Sequence, residues 1–300
     1  MRLSAVAVLL ATMLTTHAAA QNWTATPHGE QAIFPMGYAP FPHVSRAKGH
    51  QYRDKVFTYA DSYADPSVAL FLPKGFRAGE CVDLLFYWHG WSNTVTTAME
   101  SFALREMVVA SGRNVVLVFP EGPRNASDSG AGKMEDEGGL ARLADEVVGT
   151  LRREQRIPES ATLGRVVLSG HSGAYRAMAR CLRHGGLDDH ISEVYLLDAS
   201  YGDLEDFTAW MTRKPEGRLV SVYTEHLRER NEQMMATLTA AGIEHLATTH
   251  EAVTNEELAA ARRAFVYTTT LDHNQAVSRL ESFLATSSLA PIPAAPTAAE

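Results

Sequence analysis

The fold is decided by residues 170–174, Gly-His-Ser-Gly-Ala, and by the segments on either side of them. The apolar run at 165–169 predicts a buried strand, and the segment after it has apolar residues at the spacing of one helix face. A serine on a tight turn between a strand and a helix has a strained backbone and an exposed hydroxyl. The sequence therefore predicts a nucleophile at Ser172.

Length and composition predict one large α/β domain over residues 56–285, because 300 residues with 45% hydrophobic content can bury a single sizeable core. Residues 1–20 have a basic start, a short apolar centre and an Ala-Ala-Ala end, which is typical of a cleaved secretory signal peptide. An uncleaved membrane anchor is the alternative, but the apolar stretch is shorter than the about 20 residues that span a bilayer. We expect an extended arm at 21–55 and a disordered Ala/Pro-rich tail at 286–300.

Charge and composition also exclude classes of partner. The formal net charge of −8 and the lack of a basic stripe argue against nucleic acid. No segment of the mature chain is apolar enough to cross a membrane, and no metal-ligand spacing or cofactor motif occurs. We therefore expect no cofactor, no metal and no membrane span after signal cleavage. Whether Cys81 and Cys181 form a disulfide stays open at this point.

Apolar strands alternate with amphipathic helices from about residue 68 to 283, which predicts a mostly parallel sheet with helices on both faces. The strand at 68–72 is expected at the sheet edge. Ligands of such sheets bind at the carboxyl ends of the strands. The residues that follow the predicted strands are His89, Gly90, Trp91, Glu121, Ser172, Asp198, Glu225 and His273.

These motifs resemble the α/β-hydrolase superfamily. Residues 170–174 are similar to its nucleophile elbow, G-x-S-x-G, with Ala174 in place of the last glycine, and His89-Gly90 is similar to the H-G pair of its esterases. The resemblance implies an oxyanion hole formed by the backbone N–H groups of Gly173 and Trp91. It also implies the chain order serine, acid, histidine.

His273 is the predicted base, because it follows the last strand and precedes the last helix. His250 lies in a connection between elements, and His226 follows the preceding strand, so both are weaker candidates.

Two carboxylates compete for the role of the acid that orients the base. Asp198 directly follows a buried apolar strand, where an unpaired carboxylate is costly. Glu225 follows the next strand, the commoner position in the superfamily, but it also begins a charged helix whose dipole favours an acidic residue. We favour Asp198 and keep Glu225 as the alternative.

The function expected from these residues is a secreted or periplasmic serine hydrolase that cleaves a small-molecule or polymer carboxylic ester through an acyl-enzyme. A serine peptidase or amidase of the same fold is the alternative, and a non-catalytic binding protein with this fold is another. Residues 124–139, rich in Gly, Asp and Glu, follow a strand at the same edge and are expected to face the substrate.

Overall fold

The computed structural model describes residues 23–294. The strands are β1 (Thr24–Thr26), β2 (Gly29–Pro35), β3 (His50–Tyr52), β4 (Lys55–Phe57), β5 (Ser67–Pro73), β6 (Cys81–Trp88), β7 (Val116–Pro120), β8 (Thr162–His171), β9 (Ile191–Leu197), β10 (Arg218–Tyr223), β11 (Leu246–Thr249) and β12 (Arg263–Tyr267). The helices are α1 (Tyr59–Ser62), α2 (Val95–Ser101), α3 (Leu104–Ala110), α4 (Gly139–Arg153), α5 (Tyr175–His184), α6 (Leu204–Arg213), α7 (Arg228–Ala240), α8 (Asn255–Ala260) and α9 (Leu280–Ala285).

Within these residues a 10-stranded sheet runs in the order β1-β2-β5-β7-β6-β8-β9-β10-β12-β11, and β3 and β4 form a separate hairpin. All neighbours from β7 to β11 in this order are parallel. Strands β1, β2 and β5 are added antiparallel at one side. The predicted mostly parallel sheet is confirmed, and the carboxyl ends of its parallel strands lie along one edge.

Helices cover both faces of the sheet, as the fully apolar strands predict. Successive strand residues point to opposite faces, so Leu84 and Phe86 of β6 join the core under α4 to α7, whereas Leu85 and Tyr87 join the core under α2, α3, α8 and α9. These four side chains have no exposed surface. Burial of each contributes about 1.5–3 kcal/mol, which holds the strand ends in fixed positions.

The N-terminal region differs from the prediction. Part of the expected arm at 21–55 forms β1 and β2, which extend the central sheet. In β2, Ala32 and Phe34 are buried while Ile33 is 45% exposed. This alternation was not recognised in the sequence, because the surrounding region is rich in glycine and proline. The strand predicted at the sheet edge, β5, is therefore interior, between β2 and β7. The predicted signal peptide lies outside the described residues.

The C-terminal prediction is also wrong in part, since residues 286–291 pack against the domain. Leu289 is only 1% exposed. The Arg113 guanidinium donates hydrogen bonds to the carbonyls of Leu284 and Leu289, at 3.2 and 2.8 Å, and Arg113 also forms a β-bridge with Pro291. One half-buried arginine thus fixes a segment whose composition is typical of a linker. Residues 295–300 of the expected tail lie outside the described residues.

The two cysteines are separate free thiols, Cys81 exposed at the start of β6 and Cys181 buried in α5. Among residues 23–294, no helix combines the length and apolar character that crossing a membrane requires.

Candidate active site

Ser172 occupies a strained turn directly after β8. Its φ is +56°, and residues Ser172–Ala174 form a single 3-10 turn that leads into α5. A non-glycine residue in this region costs on the order of 1–3 kcal/mol, which the flanking strand and helix must offset. The turn is also crowded, because a Cβ atom on Gly90 would lie 2.6 Å from the Ser172 Cβ, and one on Gly170 would lie 2.7 Å from the Ala174 Cβ.

Asp198 and His273 contact each other at the same edge of the sheet. Asp198 follows β9 with φ +47° and has no exposed surface. The Nδ1 of His273 donates a 2.6 Å hydrogen bond to Asp198 Oδ2. Asp198 also accepts from the backbone N–H of Thr224 at 2.8 Å and from its hydroxyl at 3.1 Å. With its proton held on Nδ1, His273 has a free lone pair on Nε2, which is the state a general base requires.

Glu225, the alternative acid, lies elsewhere. Its exposed carboxylate accepts hydrogen bonds from the Tyr267 hydroxyl at 2.5 Å and from the Arg228 guanidinium at 2.7 Å. These two bonds lower the pKa of Glu225. The structure thus brings Asp198, and not Glu225, to His273.

His171, the residue before the serine, fixes the backbone of the histidine loop. Its Nε2 lies 3.0 Å from the His273 carbonyl oxygen and must donate, because a carbonyl can only accept. The two imidazole centroids are 4.4 Å apart. Burial, and next the nearby His273, lower the pKa of His171 to about 4. His171 is therefore neutral at pH 7 and acts as a structural donor.

The loop after β6 places the predicted oxyanion donor. His89 is buried, and its Nδ1 donates to the Gly90 carbonyl at 2.7 Å, while its Nε2 is 2.9 Å from Glu121 Oε1. In a trans peptide the C=O and N–H point in opposite directions. Holding the Gly90 carbonyl against His89 therefore directs the Trp91 N–H away from His89. Glu121, which the sequence places at a strand end, fixes His89 and also accepts from the Val95 N–H at 3.1 Å.

A pocket of about 450 Å³ joins these groups. It is lined by Gly90, Trp91, Asn93, Ser129, His171, Ser172, Gly173, Tyr175, Tyr201, His273 and Asn274. Apart from its two histidines, this lining contains no titratable group other than tyrosine. A larger cavity of about 810 Å³ lies at the opposite edge of the sheet, around the buried ion pair of Glu193 and Arg218. In its lining the Ser288 hydroxyl donates to Glu193 at 2.8 Å, but Glu193 is paired with Arg218 and no hydroxyl there lies beside a histidine that a carboxylate orients. The smaller pocket is therefore the candidate active site.

One side of this pocket comes from the segment at 124–139. The Trp91 indole N–H donates a 2.8 Å hydrogen bond to the Ser129 hydroxyl. The neighbouring Asp128 is fixed by Arg46 at 2.6 and 2.8 Å and by the Tyr63 hydroxyl at 3.0 Å. Burial opposes ionisation of Asp128, but the Arg46 guanidinium outweighs it, so the pKa of Asp128 is lowered. The segment is thus held by buried charge rather than being an open surface loop.

Comparison with known proteins gives a likeness of fold. No protein-family model and no curated protein sequence matches the chain. Among solved structures, a mutant feruloyl esterase module from Clostridium thermocellum complexed with sinapinate matches 73% of this chain and 82% of its own, with a TM-score of 0.52 and 12% identity. The chain has the α/β-hydrolase fold. An S-formylglutathione hydrolase from Agrobacterium tumefaciens covers 88% of this chain and 97% of its own at 12% identity, with a TM-score of 0.47.

In this α/β-hydrolase fold, two further side chains border the site: Tyr201, which was not predicted from the sequence, and His226, which was only a weaker candidate for the base. The His226 Nε2 lies 3.6 Å from Asp198 Oδ2, and its Nδ1 is 2.7 Å from the Thr224 hydroxyl. The Tyr201 hydroxyl is 2.7 Å from the His226 Nε2. Burial, then the charge of Asp198, raise the pKa of Tyr201 to about 12.

The hydrogen-bond directions around His226 follow from these contacts. The Thr224 hydroxyl has one proton, which it donates to Asp198, so it accepts from the His226 Nδ1–H. The His226 Nε2 is then an acceptor for the Tyr201 hydroxyl. His250, the other sequence candidate, lies after β11 and is not among the residues that line the pocket.

Proposed function

We propose that this protein is a serine hydrolase that cleaves carboxylic esters, with Ser172 as nucleophile, His273 as general base and Asp198 as the orienting acid. The observation that carries the proposal is the 2.6 Å contact between His273 and the buried Asp198, in a pocket that Ser172 and His273 both line. A serine hydroxyl becomes nucleophilic when an oriented base removes its proton. The strained turn at Ser172, with φ +56°, supports the same assignment.

In the proposed reaction the Ser172 oxygen attacks the ester carbonyl while the His273 Nε2 takes the hydroxyl proton. Asp198 stabilises the imidazolium that forms. The backbone N–H groups of Trp91 and Gly173 donate to the oxyanion, and the loss of one such donor typically costs about 10²–10³ in rate. His273 then protonates the departing alcohol. Water attacks the acyl-enzyme as His273 takes its proton, and His273 returns that proton to the Ser172 oxygen as the carboxylic acid leaves.

The chemistry of the pocket favours an ester with uncharged groups near the carbonyl. The lining offers aromatic rings and hydroxyls from Trp91, Tyr175, Tyr201 and Ser129, and it has no arginine, lysine or carboxylate to bind a charged substrate. An alcohol leaves more readily than an amine, so ester cleavage is favoured over peptide cleavage.

Labelling with a fluorophosphonate probe tests the nucleophile. We expect covalent labelling of the wild-type protein at Ser172 and none in Ser172→Ala. Ser129→Ala is the matched control, because it removes a second hydroxyl of the same pocket that has no adjacent base, and it should label normally. A folded wild-type protein that does not react would favour the non-catalytic binding protein. Faster turnover of peptide anilides than of nitrophenyl esters would favour a peptidase.

We also propose that the protein is exported, to the periplasm or outside the cell. The proposal rests on the basic start, the apolar centre and the alanine-rich end of residues 1–20. Sequencing the N-terminus of protein recovered from its native source tests it. A mature chain that begins near Gln21 is expected, and one that retains residue 1 would contradict export by cleavage.

A further inference from the structure

We propose that Asp198, His226 and His273 form a binding site for a zinc-class divalent transition metal, and that the bound metal switches off hydrolysis. The binding of metal depends only on these three side chains. The inhibition rests on the function proposed above.

The three ligand atoms already lie close together. One ring nitrogen of His226, one of His273 and an Asp198 carboxylate oxygen are all within 4.8 Å of one another. With metal–ligand distances of about 2.0–2.1 Å, the ligand atoms of a tetrahedral site are about 3.3 Å apart. The His226–Asp198 pair, at 3.6 Å, is close to this spacing. The His273–Asp198 pair, at 2.6 Å, must open by less than an ångström once its shared proton leaves.

The outer hydrogen bonds are those that a metal-binding histidine requires. A ligating imidazole normally donates its other N–H to a fixed acceptor, which sets the tautomer and the ring orientation. Here the His226 Nδ1–H donates to the Thr224 hydroxyl at 2.7 Å, so the lone pair of His226 is on Nε2 and faces Asp198. The Thr224 N–H holds the other oxygen of Asp198 at 2.8 Å. One threonine therefore orients two of the three ligands.

A metal ion can reach these ligands from solvent, because the His226 side chain is 47% exposed. Entry requires the Tyr201 hydroxyl to give up its 2.7 Å hydrogen bond to the His226 Nε2. Water then completes the coordination of a site with two imidazoles and one carboxylate, a ligand set that zinc favours.

Metal at this position removes the general base. Binding through the Nδ1 of His273 displaces the proton there, which goes to solvent. As the Nδ1 proton is lost, Nε2 takes up one proton from solvent, so the imidazole stays neutral and its single proton now occupies the nitrogen that must accept the Ser172 proton. Asp198 is simultaneously engaged by the metal. The bound form should thus have a strongly reduced kcat, and a chelator that removes the metal should restore it.

Cobalt(II) tests the binding without relying on activity, since four-coordinate Co²⁺ has intense visible d–d bands and occupies zinc sites. The Ser172→Ala protein should develop these bands on Co²⁺ titration, and Zn²⁺ should abolish them by displacement. In Ser172→Ala with His226→Ala the bands should be absent. His250→Ala in the same background is the matched control, because His250 lies outside the cluster, and it should keep the bands. Thermal unfolding of each variant checks that it is folded, and His226→Gln serves as a second replacement.

Inhibition is then measured with a nitrophenyl ester. Zn²⁺ should lower the kcat of the wild-type protein reversibly, and His226→Ala should need at least tenfold more zinc for half-inhibition relative to its own metal-free rate. Cobalt bands that persist without His226, or that never form, would overturn the site. If the cobalt bands depend on His226 but the wild-type protein has no esterase activity, the metal site is upheld and the proposed hydrolase function is refuted.

Discussion

The Nδ1 of His273 lies 2.6 Å from Oδ2 of Asp198, a carboxylate with no exposed surface. A buried carboxylate without a partner is costly. Asp198, which follows β9 at φ +47°, is therefore expected to be hydrogen-bonded. His273 and Thr224 supply the donors. This relationship separates the two carboxylates that the sequence leaves in competition and leads to the first prediction.

Asp198→Asn should reduce kcat/KM by about 10³–10⁴-fold, because an asparagine amide can donate to Nδ1 and favours the imidazole tautomer that is protonated on Nε2. Glu225→Gln should stay within about threefold of wild type, since the exposed Glu225 carboxylate bonds only to the half-buried Arg228 and Tyr267. Ester hydrolysis at pH 7.5 measures both. A large loss in Glu225→Gln with a small one in Asp198→Asn would reverse the assignment of the acid.

Gly90→Ala should reduce kcat by at least about 10²-fold, a loss comparable to that of an oxyanion donor. The added methyl would lie 2.6 Å from the Ser172 Cβ, so the serine or the Gly90 loop must move. Gly149→Ala is the control, because its methyl would meet only the Arg153 guanidinium at 3.5 Å. Steady-state kinetics with unfolding temperatures distinguish a displaced site from a destabilised fold. Normal turnover in Gly90→Ala would contradict the close packing at the serine.

The candidate residues that lie next to strand ends could be placed at one edge of the sheet from the sequence. Ser172 directly follows β8 and Asp198 directly follows β9, so the rule that parallel strands end at one edge was enough to propose that they converge. The same rule brought in His89, whose function as a buried donor to the Gly90 carbonyl needs coordinates to be seen. The strand-end rule alone could not choose between Asp198 and Glu225 as the acid, and the expected burial of Asp198 was the main argument for it. Which carboxylate reaches His273 depends on the conformation of the loops.

No usable sequence signal existed for the contact between His226 and Tyr201, for strand β2 or for the packing of Leu289. His226 and Tyr201 belong to loops after different strands, and nothing in their spacing indicates that their side chains meet at 2.7 Å. Strand β2 was missed because only its alternating burial, and not its composition, is typical of a strand. The packing of Leu289 depends on Arg113, which lies 176 residues away along the chain. Contacts of this kind are set by tertiary structure and override local composition.

Arg46→Met should lower the free energy of unfolding by about 3 kcal/mol, because it leaves the Asp128 carboxylate buried without its cation. The side chain of Asp128 is only 5% exposed in this pair. Arg124→Met is the matched control, since its 3.3 Å pair with Asp65 is half-exposed and should contribute less than about 1 kcal/mol. Urea denaturation measures both variants. Equal losses would mean that Arg46 does not hold the segment that carries Ser129.

His171 should make the folded protein lose stability as the pH falls from about 6.5 towards 4. Burial lowers the pKa of His171 to about 4 in the folded chain, whereas an unfolded chain has a histidine pKa of about 6.5. Between these values the unfolded state binds a proton that the folded state does not, so stability rises with pH across this window and is lost on acidification. At about 1.4 kcal/mol per pKa unit, the contribution is on the order of 3 kcal/mol.

The difference between wild type and His171→Gln isolates this contribution from the other titrating groups. Glutamine has no charge to acquire, and its amide N–H can replace the donor that the His273 carbonyl accepts at 3.0 Å in the native protein. Unfolding free energies measured at half-unit steps from pH 4 to 7.5 should therefore be similar for the two proteins at pH 7.5 and separate as the pH falls, with wild type losing on the order of 3 kcal/mol more by pH 4. Parallel curves over the whole range would mean that His171 titrates alike in the folded and unfolded chain. The imidazole would then have to be accessible to water in the folded state, in conflict with its buried position at the end of β8, against the His273 loop.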